Sequence, residues 1–302
     1  MLVPIVRKGV IPAAGWGTRF LPATKAIPKE MLPVVDRPMI QYAVEEAVQA
    51  GIQHLTIVTS RLKESLAAHF DRAPELERFL EAQGDAHRLK EVRRLATLVD
   101  LAYVTQQEQL GLGHAVLTAR SALGNEPFAV LLPDDIVISE TPAIGQILQV
   151  FHRYGGSVVA VQEIPPEATR SYGVVDVELP GVIMERGGAT PIEEGVYRVR
   201  GLVEKPAPED APSRLGIVGR YVFTPGIYEA LAEVRPGALG EIQLTDGMHL
   251  LAQREPLYAW VLQGRRHDAG TPLGLLKASV ELALQREDMA PAIRQWLRGL
   301  AF

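Results

Sequence analysis

Two hydrophobic rhythms alternate along this chain. Short unbroken apolar runs at 10–14, 54–59, 101–105, 128–132 and 157–162 predict buried strands. Between them, Met39, Ile40, Ala43, Val44, Ala47 and Val48 recur at helical spacing, with Gly51 placed to close the carboxyl end. Segments 111–122 and 143–154 carry the same helical signal, and 61–100 is a charged, helically patterned excursion. Strand, helix and strand of these lengths make parallel crossovers, so this half predicts a doubly wound α/β core. From Tyr172 the rhythm shortens. Strands at 173–177, 197–204 and 217–223, with a turn at Gly187-Gly188, predict a small β-rich elaboration. Helical spacing returns at 244–251, a strand follows at 257–262, and helices at 271–285 and 290–300 close the chain. Without repeats, low-complexity tracts or a long linker, one domain over 1–302 is expected.

The first strand opens into an unusual loop. Ala13-Ala14-Gly15-Trp16-Gly17-Thr18-Arg19 runs on to Lys25 and to Pro28-Lys29-Glu30-Met31-Leu32-Pro33. Glycines let the backbone turn and approach closely, so that amide N–H groups converge on an anion. Arg19, Lys25 and Lys29 add cationic charge at the edge where α/β sheets take nucleotides. The dinucleotide fingerprint fails, because its third glycine would fall at Phe20. The P-loop fails too, for want of Gly-Lys-Ser/Thr. The alternative is a surface loop with solvated cations.

Composition narrows the field. Hydrophobic residues at 47% and charged residues at 22% are ordinary for a globular protein. A net charge of −5 disfavours a nucleic-acid binder, and the absence of cysteine excludes disulfides and thiolate metal sites. No apolar run reaches the roughly 20 residues of a membrane span, and no secretory leader is evident. A cytoplasmic location, away from membranes, is expected.

Further chemistry stands at strand ends. Asp134, after the 128–132 strand, is placed to hold a hard divalent cation or else to cap a turn. Asp268, in His267-Asp268-Ala269-Gly270-Thr271, is a carboxylate or a helix N-cap. Glu204 and Lys205 adjoin in Gly201-Leu202-Val203-Glu204-Lys205-Pro206. On a continuing strand they would point apart, but a strand ending before proline lets both approach one cleft. Glu204 can accept from sugar hydroxyls and Lys205 can neutralise a phosphate. The plain alternative is an exposed ion pair. His267 is read as structural.

Together these segments resemble the signature of the sugar-nucleotide pyrophosphorylases, a sugar nucleotidyltransferase family. Glu241-Ile242-Gln243-Leu244-Thr245-Asp246 and Ile217-Val218-Gly219-Arg220-Tyr221-Val222 are closest to its uridylyltransferase branch, and the likeness runs from about Lys8 to about Leu276. The resemblance implies a Rossmann-like, mostly parallel mixed sheet with a sugar-binding elaboration. Residues 1–165 would mainly bind nucleotide, 166–270 sugar phosphate, and 271–302 would be C-terminal helices. It implies UTP and glucose 1-phosphate as substrates, Mg²⁺ as cofactor and a homo-oligomer, dimer or tetramer. Arg19, Lys29, Asp134 and Lys205 would be catalytic, with Asp134 and Asp268 on the metal. Ala13, Ala14, Gly15, Gly17, Thr18, Gln106, Gly111 and Gly113 would bind nucleotide, Gln106 reading the base edge. Gly173, Glu204 and Lys205 would bind sugar phosphate. Trp16 stands where the family has an aliphatic residue, and Leu110 stands near where it has a lysine. The alternatives are another base or sugar, such as dTTP, and a sugar-nucleotide sensor without turnover.

Overall fold

A computed structural model describes residues 3–61, 63–178, 193–237 and 240–300. Along the chain come β1 (Lys8–Pro12), a hairpin of β2 (Pro33–Val34) and β3 (Arg37–Pro38), α1 (Met39–Gln49) and β4 (His54–Thr59). Then follow α2 (Glu64–Phe70), α3 (Pro74–Ala82), α4 (Ala86–Leu95), β5 (Asp100–Thr105), α5 (Leu112–Leu123) and β6 (Phe128–Leu131). The middle holds β7 (Asp135–Ile138), α6 (Ala143–Tyr154), β8 (Ser157–Glu163), β9 (Gly173–Val177) and β10 (Val196–Glu204). The rest is β11 (Leu215–Phe223), α7 (Gly226–Glu233), α8 (Leu244–Ala252), β12 (Leu257–Val261), β13 (Arg265–Asp268), α9 (Pro272–Ala283) and α10 (Ala290–Gly299). The expected turn at Gly187-Gly188 lies outside the described residues.

The strands of the main sheet lie in the order β5-β4-β1-β6-β11-β8-β12-β10-β9. β5, β4, β1 and β6 pair in parallel, as do β8 and β12, while β11 and β10 run against their neighbours. The sheet is therefore mixed, with most strands pointing one way. Buried strands without polar alternation need cover on both faces, and both are covered. α5, α7 and α8 pack on one face through Val116, Ala119, Tyr228, Leu231 and Met248, among others. α1, α2 and α6 cover the other through Ile40, Val44, Leu66, Ile147 and Phe151. The 61–100 excursion resolves into α2, α3 and α4. Among the described residues no helix is long and apolar enough to cross a membrane.

Strand β7 and its partner β13 depart from the sequence expectation. They form a two-stranded antiparallel ribbon beside the main sheet, in which Asp135 faces Asp268 and Ile136 faces His267. β7 offers only the short apolar run Ile136-Val137-Ile138 and β13, Arg265-Arg266-His267-Asp268, has none, so the pairing is a tertiary choice. A small cluster of Val34, Met39, Ile136, Ala269 and Ala278 supports it.

A fully buried arginine locks the base of this ribbon. Arg220 on β11 forms a two-point ion pair with Glu46 of α1, at 2.9 and 2.8 Å. It also donates to the carbonyls of Leu132, Gly219 and Asp135. A buried charge is tolerated only when paired and fully hydrogen-bonded, and two of the carbonyls it satisfies, Leu132 and Asp135, flank Asp134.

Candidate active site

The loop after β1 presents free amides. Ala13 is its anchor: its N–H binds the Val58 carbonyl at 2.7 Å, extending the ladder to β4. Its carbonyl accepts from Lys63. Beyond it, no backbone N–H of Ala14, Gly15, Gly17 or Thr18 finds an acceptor among the described residues. Gly17 takes a left-handed backbone with φ 66, and a Cβ there would lie 3.0 Å from Cβ of Lys29. Glycine at 17 thus lets the Lys29 turn close under the loop. Thr18 and Arg19 are exposed, as are Trp16 and Lys25.

Lys29 points across the sheet edge to Asp134, with Nζ 2.7 Å from Oδ2. Burial alone would push the Lys29 pKa down, but Asp134 and the adjoining Glu30 outweigh it and raise the value. For Asp134, burial favours the neutral acid, yet the charge and hydrogen bond of Lys29 win and hold its pKa below the ordinary range. Both groups are thus charged at neutral pH.

Behind Lys29 lies a second, buried pair. Lys63 Nζ is 2.7 Å from Glu30 Oε2, and Glu30 is almost wholly buried. Burial raises the Glu30 pKa and lowers that of Lys63. Through its two acceptors Lys63 ties the loop anchor Ala13 to the turn carrying Lys29.

Asp134 and Asp268 converge on Gly270. A Cβ at 270 would lie 2.8 Å from Asp134 Oδ2 and 3.0 Å from Asp268 Oδ1. The N–H of Gly270 donates to Asp268 Oδ1 at 3.0 Å, and that of Ala269 to the Asp134 carbonyl at 2.8 Å. The N-cap of α9 is Thr271, whose hydroxyl accepts from the Gly274 N–H. Asp268 is therefore not the cap of that helix. Among the described residues no cage of three or more acidic or histidine side chains forms. Two carboxylates beside free backbone amides at a sheet edge nevertheless fit the habit of Mg²⁺, which takes few protein oxygens and completes its shell with other ligands and water.

Arg266 links this corner to the segments around Tyr172 and Lys205. Its Nε donates to Asp135 Oδ1 at 2.5 Å and its guanidinium to the Tyr172 hydroxyl at 3.0 Å. The Tyr172 carbonyl accepts from the Lys205 N–H at 3.0 Å. Lys205 leaves β10 with φ 46, a left-handed backbone uncommon outside glycine. That reversal brings two adjacent side chains together, and Lys205 Nζ lies 3.0 Å from Glu204 Oε1. The other Glu204 oxygen accepts from Thr245 at 2.7 Å. Gly173 faces Glu204 across β9 and β10, and Val174 meets Gly216, which faces Gln162 at the carboxyl end of β8.

At the far side of the sheet edge, Gln106 follows β5 and is buried. Its amide nitrogen lies 3.3 Å from the Gly111 carbonyl. Gly111 and Gly113 pack against the backbone of Ile242. The expected nucleotide segments thus lie along one edge. His267 is buried, lies 3.7 Å from Glu281 and has its pKa lowered by burial, in keeping with a structural role.

A family profile described as nucleotidyl transferase matches residues 8–285. The chain belongs to the nucleotidyl transferase family. Among curated relatives, a UTP–glucose-1-phosphate uridylyltransferase of Bacillus subtilis is 49% identical over 296 residues, 98% of this chain and 95% of that protein. A second from the same organism is 46% identical, covering 98% of this chain and 97% of its own length. A solved UDP-glucose pyrophosphorylase complexed with UDP-glucose superposes with TM-score 0.81 at 43% identity, covering 93% of this chain and all of that one. A UTP-bound enzyme from Acinetobacter baumannii superposes with TM-score 0.86 at 37% identity, over 98% of this chain and 100% of that chain.

Within this nucleotidyl transferase, sequence reasoning missed Arg266, Lys63 and the placement of Gly270. Arg266 had one signal: it stands two residues before Asp268, on the same face of any strand there. Lys63 and Gly270 had none, because Glu30, Ala13 and Asp134, which give them their places, lie far away in sequence.

Proposed function

We propose that this chain makes UDP-glucose and pyrophosphate from UTP and glucose 1-phosphate. The observation that carries the reading is the Lys29–Asp134 pair, set beneath the free loop amides and linked through Arg266 and Tyr172 to Lys205. It joins a triphosphate cradle to a sugar-phosphate anchor in one site. Full-length likeness to uridylyltransferases supports the same substrates.

An oxygen of glucose 1-phosphate attacks the α-phosphorus of UTP in line. The new P–O bond forms as the bond to the β-phosphate oxygen breaks, and pyrophosphate leaves with that electron pair. The nucleophile is already an anion, so no general base is needed. Such transfer depends on positioning and charge stabilisation. The amides of Ala14, Gly15, Gly17 and Thr18 cradle the triphosphate, with Ala13 as their anchor. Arg19 holds the β- and γ-phosphates, and Lys29 offsets charge growing at the α-phosphorus. Lys205 anchors the incoming phosphate, and Glu204 accepts from hexose hydroxyls beside Gly173. Gln106, Gly111 and Gly113 take the uracil. Asp134 and Asp268 would hold Mg²⁺, which when bound draws the two phosphates together and screens their repulsion.

Residues 1–165 mainly serve the nucleotide, 166–270 the sugar phosphate, and 271–302 form the closing helices. We propose a homo-oligomer, dimer or tetramer, supported by Leu273, Leu276 and Trp296, which stand exposed on α9 and α10. A cytoplasmic location accords with the nucleotide substrate and the lack of cysteine.

The test is pyrophosphate release from glucose 1-phosphate and Mg²⁺ with each of UTP, dTTP, ATP, CTP and GTP. Release with UTP well above the rest is expected. Preference for another nucleotide would overturn the base assignment, and silence with all five would overturn the activity.

A further inference from the structure

The amide of Gln106 is held so that it can offer only its oxygen. Its Nε2 lies 3.3 Å from the Gly111 carbonyl oxygen and 2.8 Å from Nδ1 of His114, on the first turn of α5. A carbonyl oxygen only accepts, so the nitrogen must face Gly111; the flipped amide would set two oxygens against each other. The second N–H then points to His114 Nδ1, which must accept. With both N–H groups engaged, Oε1 is left. It has no partner among the described residues, and it is not one of the buried polar atoms sealed off without one.

The Gly111 carbonyl is itself fixed. Ile242 donates its N–H to Leu110 at 2.7 Å and accepts from the Gly113 N–H at 2.9 Å, clamping the turn on both sides. The amide thus sits between a pinned backbone acceptor and a ring acceptor.

We propose that His114 is a positioning residue for base specificity, locking Gln106 as an acceptor-only reader of the pyrimidine edge. This rests on the reading of Gln106 as the base-contacting side chain. Uracil offers a single donor, N3–H, between two carbonyl acceptors, so an acceptor-only amide has one place to bind it. Cytosine has a lone pair at N3 and its donor on the exocyclic amine. In the register that serves uracil, two lone pairs would meet. Removing His114 takes away the shorter of the two contacts that hold the nitrogen, and only the 3.3 Å contact to Gly111 then opposes an amide turn that would present the nitrogen to cytosine N3. A buried polar group built for one partner discriminates strongly against its mismatch, and loss of that constraint relaxes the choice.

The experiment measures kcat/KM for UTP and for CTP, with glucose 1-phosphate and Mg²⁺. It compares the unmodified protein with His114→Leu, His114→Ala, His114→Asn and Gln106→Ala. In His114→Leu and His114→Ala the UTP-to-CTP ratio is expected to fall on the order of 10-fold or more. The UTP loss should sit in KM, with kcat within about 2-fold of the unmodified protein. His114→Asn, whose side-chain oxygen can accept in the same place, should restore most of the ratio. If Gln106→Ala loses the ratio while His114→Leu and His114→Ala keep it, the role of His114 is overturned and the reading of Gln106 stands. If Gln106→Ala keeps the ratio, the base reading fails and this proposal fails with it. A fall in kcat at unchanged ratio would mark His114 as merely structural and also overturn it.

Discussion

Lys29 and Asp134 are 105 residues apart in sequence and 2.7 Å apart in space. One comes from the turn under the phosphate loop, the other from the end of the strand beside it. Each holds the other charged, so a cation and a carboxylate stand in mutual contact at the sheet edge, as the roles proposed for them require.

The pair has a definite pH signature. The Asp134 pKa is depressed in the folded protein, chiefly because the Lys29 charge overcomes the effect of burial. Its stabilisation is therefore fully present above the unfolded carboxylate pKa of about 4 and is lost as pH falls through the lower folded value. Denaturant unfolding of the unmodified protein and Asp134→Asn should show a constant difference from about pH 5 to pH 8. Below about pH 4 the unmodified protein should lose its relative advantage. A difference that grew on acidification would contradict the assigned shift.

Gly270 lets the two candidate metal carboxylates converge by having no side chain. In Gly270→Ala the added methyl would meet Asp134 Oδ2 at 2.8 Å and Asp268 Oδ1 at 3.0 Å. The Mg²⁺ concentration giving half-maximal activity should rise on the order of 10-fold or more. A titration of rate against Mg²⁺ reads this directly, and an unchanged midpoint would remove Gly270 from the metal corner.

Lys63 neutralises a carboxylate that has nowhere else to turn. One Glu30 oxygen is already without a partner, so losing Lys63 would strand a buried charge. Lys63→Met should cost about 3–5 kcal/mol of stability, and Lys63→Met with Glu30→Gln should recover much of it. Urea unfolding of the single and double variants, compared as a cycle, measures the coupling.

Much of this was legible in the sequence, and the boundary has a physical reason. Asp134, Glu204 and Lys205 stand at or just past the ends of apolar runs, and Lys29 in the long loop that follows one, where local pattern marks strand and loop alike. The loop amides follow from Gly15 and Gly17. What pairing adds was not legible. The β7–β13 ribbon brings Asp135 opposite Asp268, although β13 has no apolar residue to mark it as a strand. Arg220 finds Glu46 across 174 residues. Register between distant strands is set by the packed fold, so Arg266, Lys63 and the closeness of Gly270 came only with it. The sheet is also more mixed than the early parallel rhythm implies, because β10 and β11 reverse direction in segments whose pattern carries no sign of orientation.

Arg266 predicts a selective defect. It supports Tyr172, whose carbonyl in turn receives the Lys205 N–H. Tyr172→Phe removes one hydrogen bond, a change of about 1 kcal/mol, and should raise KM for glucose 1-phosphate roughly 5-fold with KM for UTP little changed. Initial rates with each substrate varied in turn would show the split. Equal effects on both substrates would mean that Arg266 acts only as a general support.

The most direct test of the account is the turnover of Lys29→Ala with UTP, glucose 1-phosphate and Mg²⁺ at saturation. If Lys29 stabilises charge at the transferred phosphorus, kcat falls on the order of 10²-fold or more while the protein stays folded. Near-normal kcat in a folded Lys29→Ala protein would contradict the account at its centre.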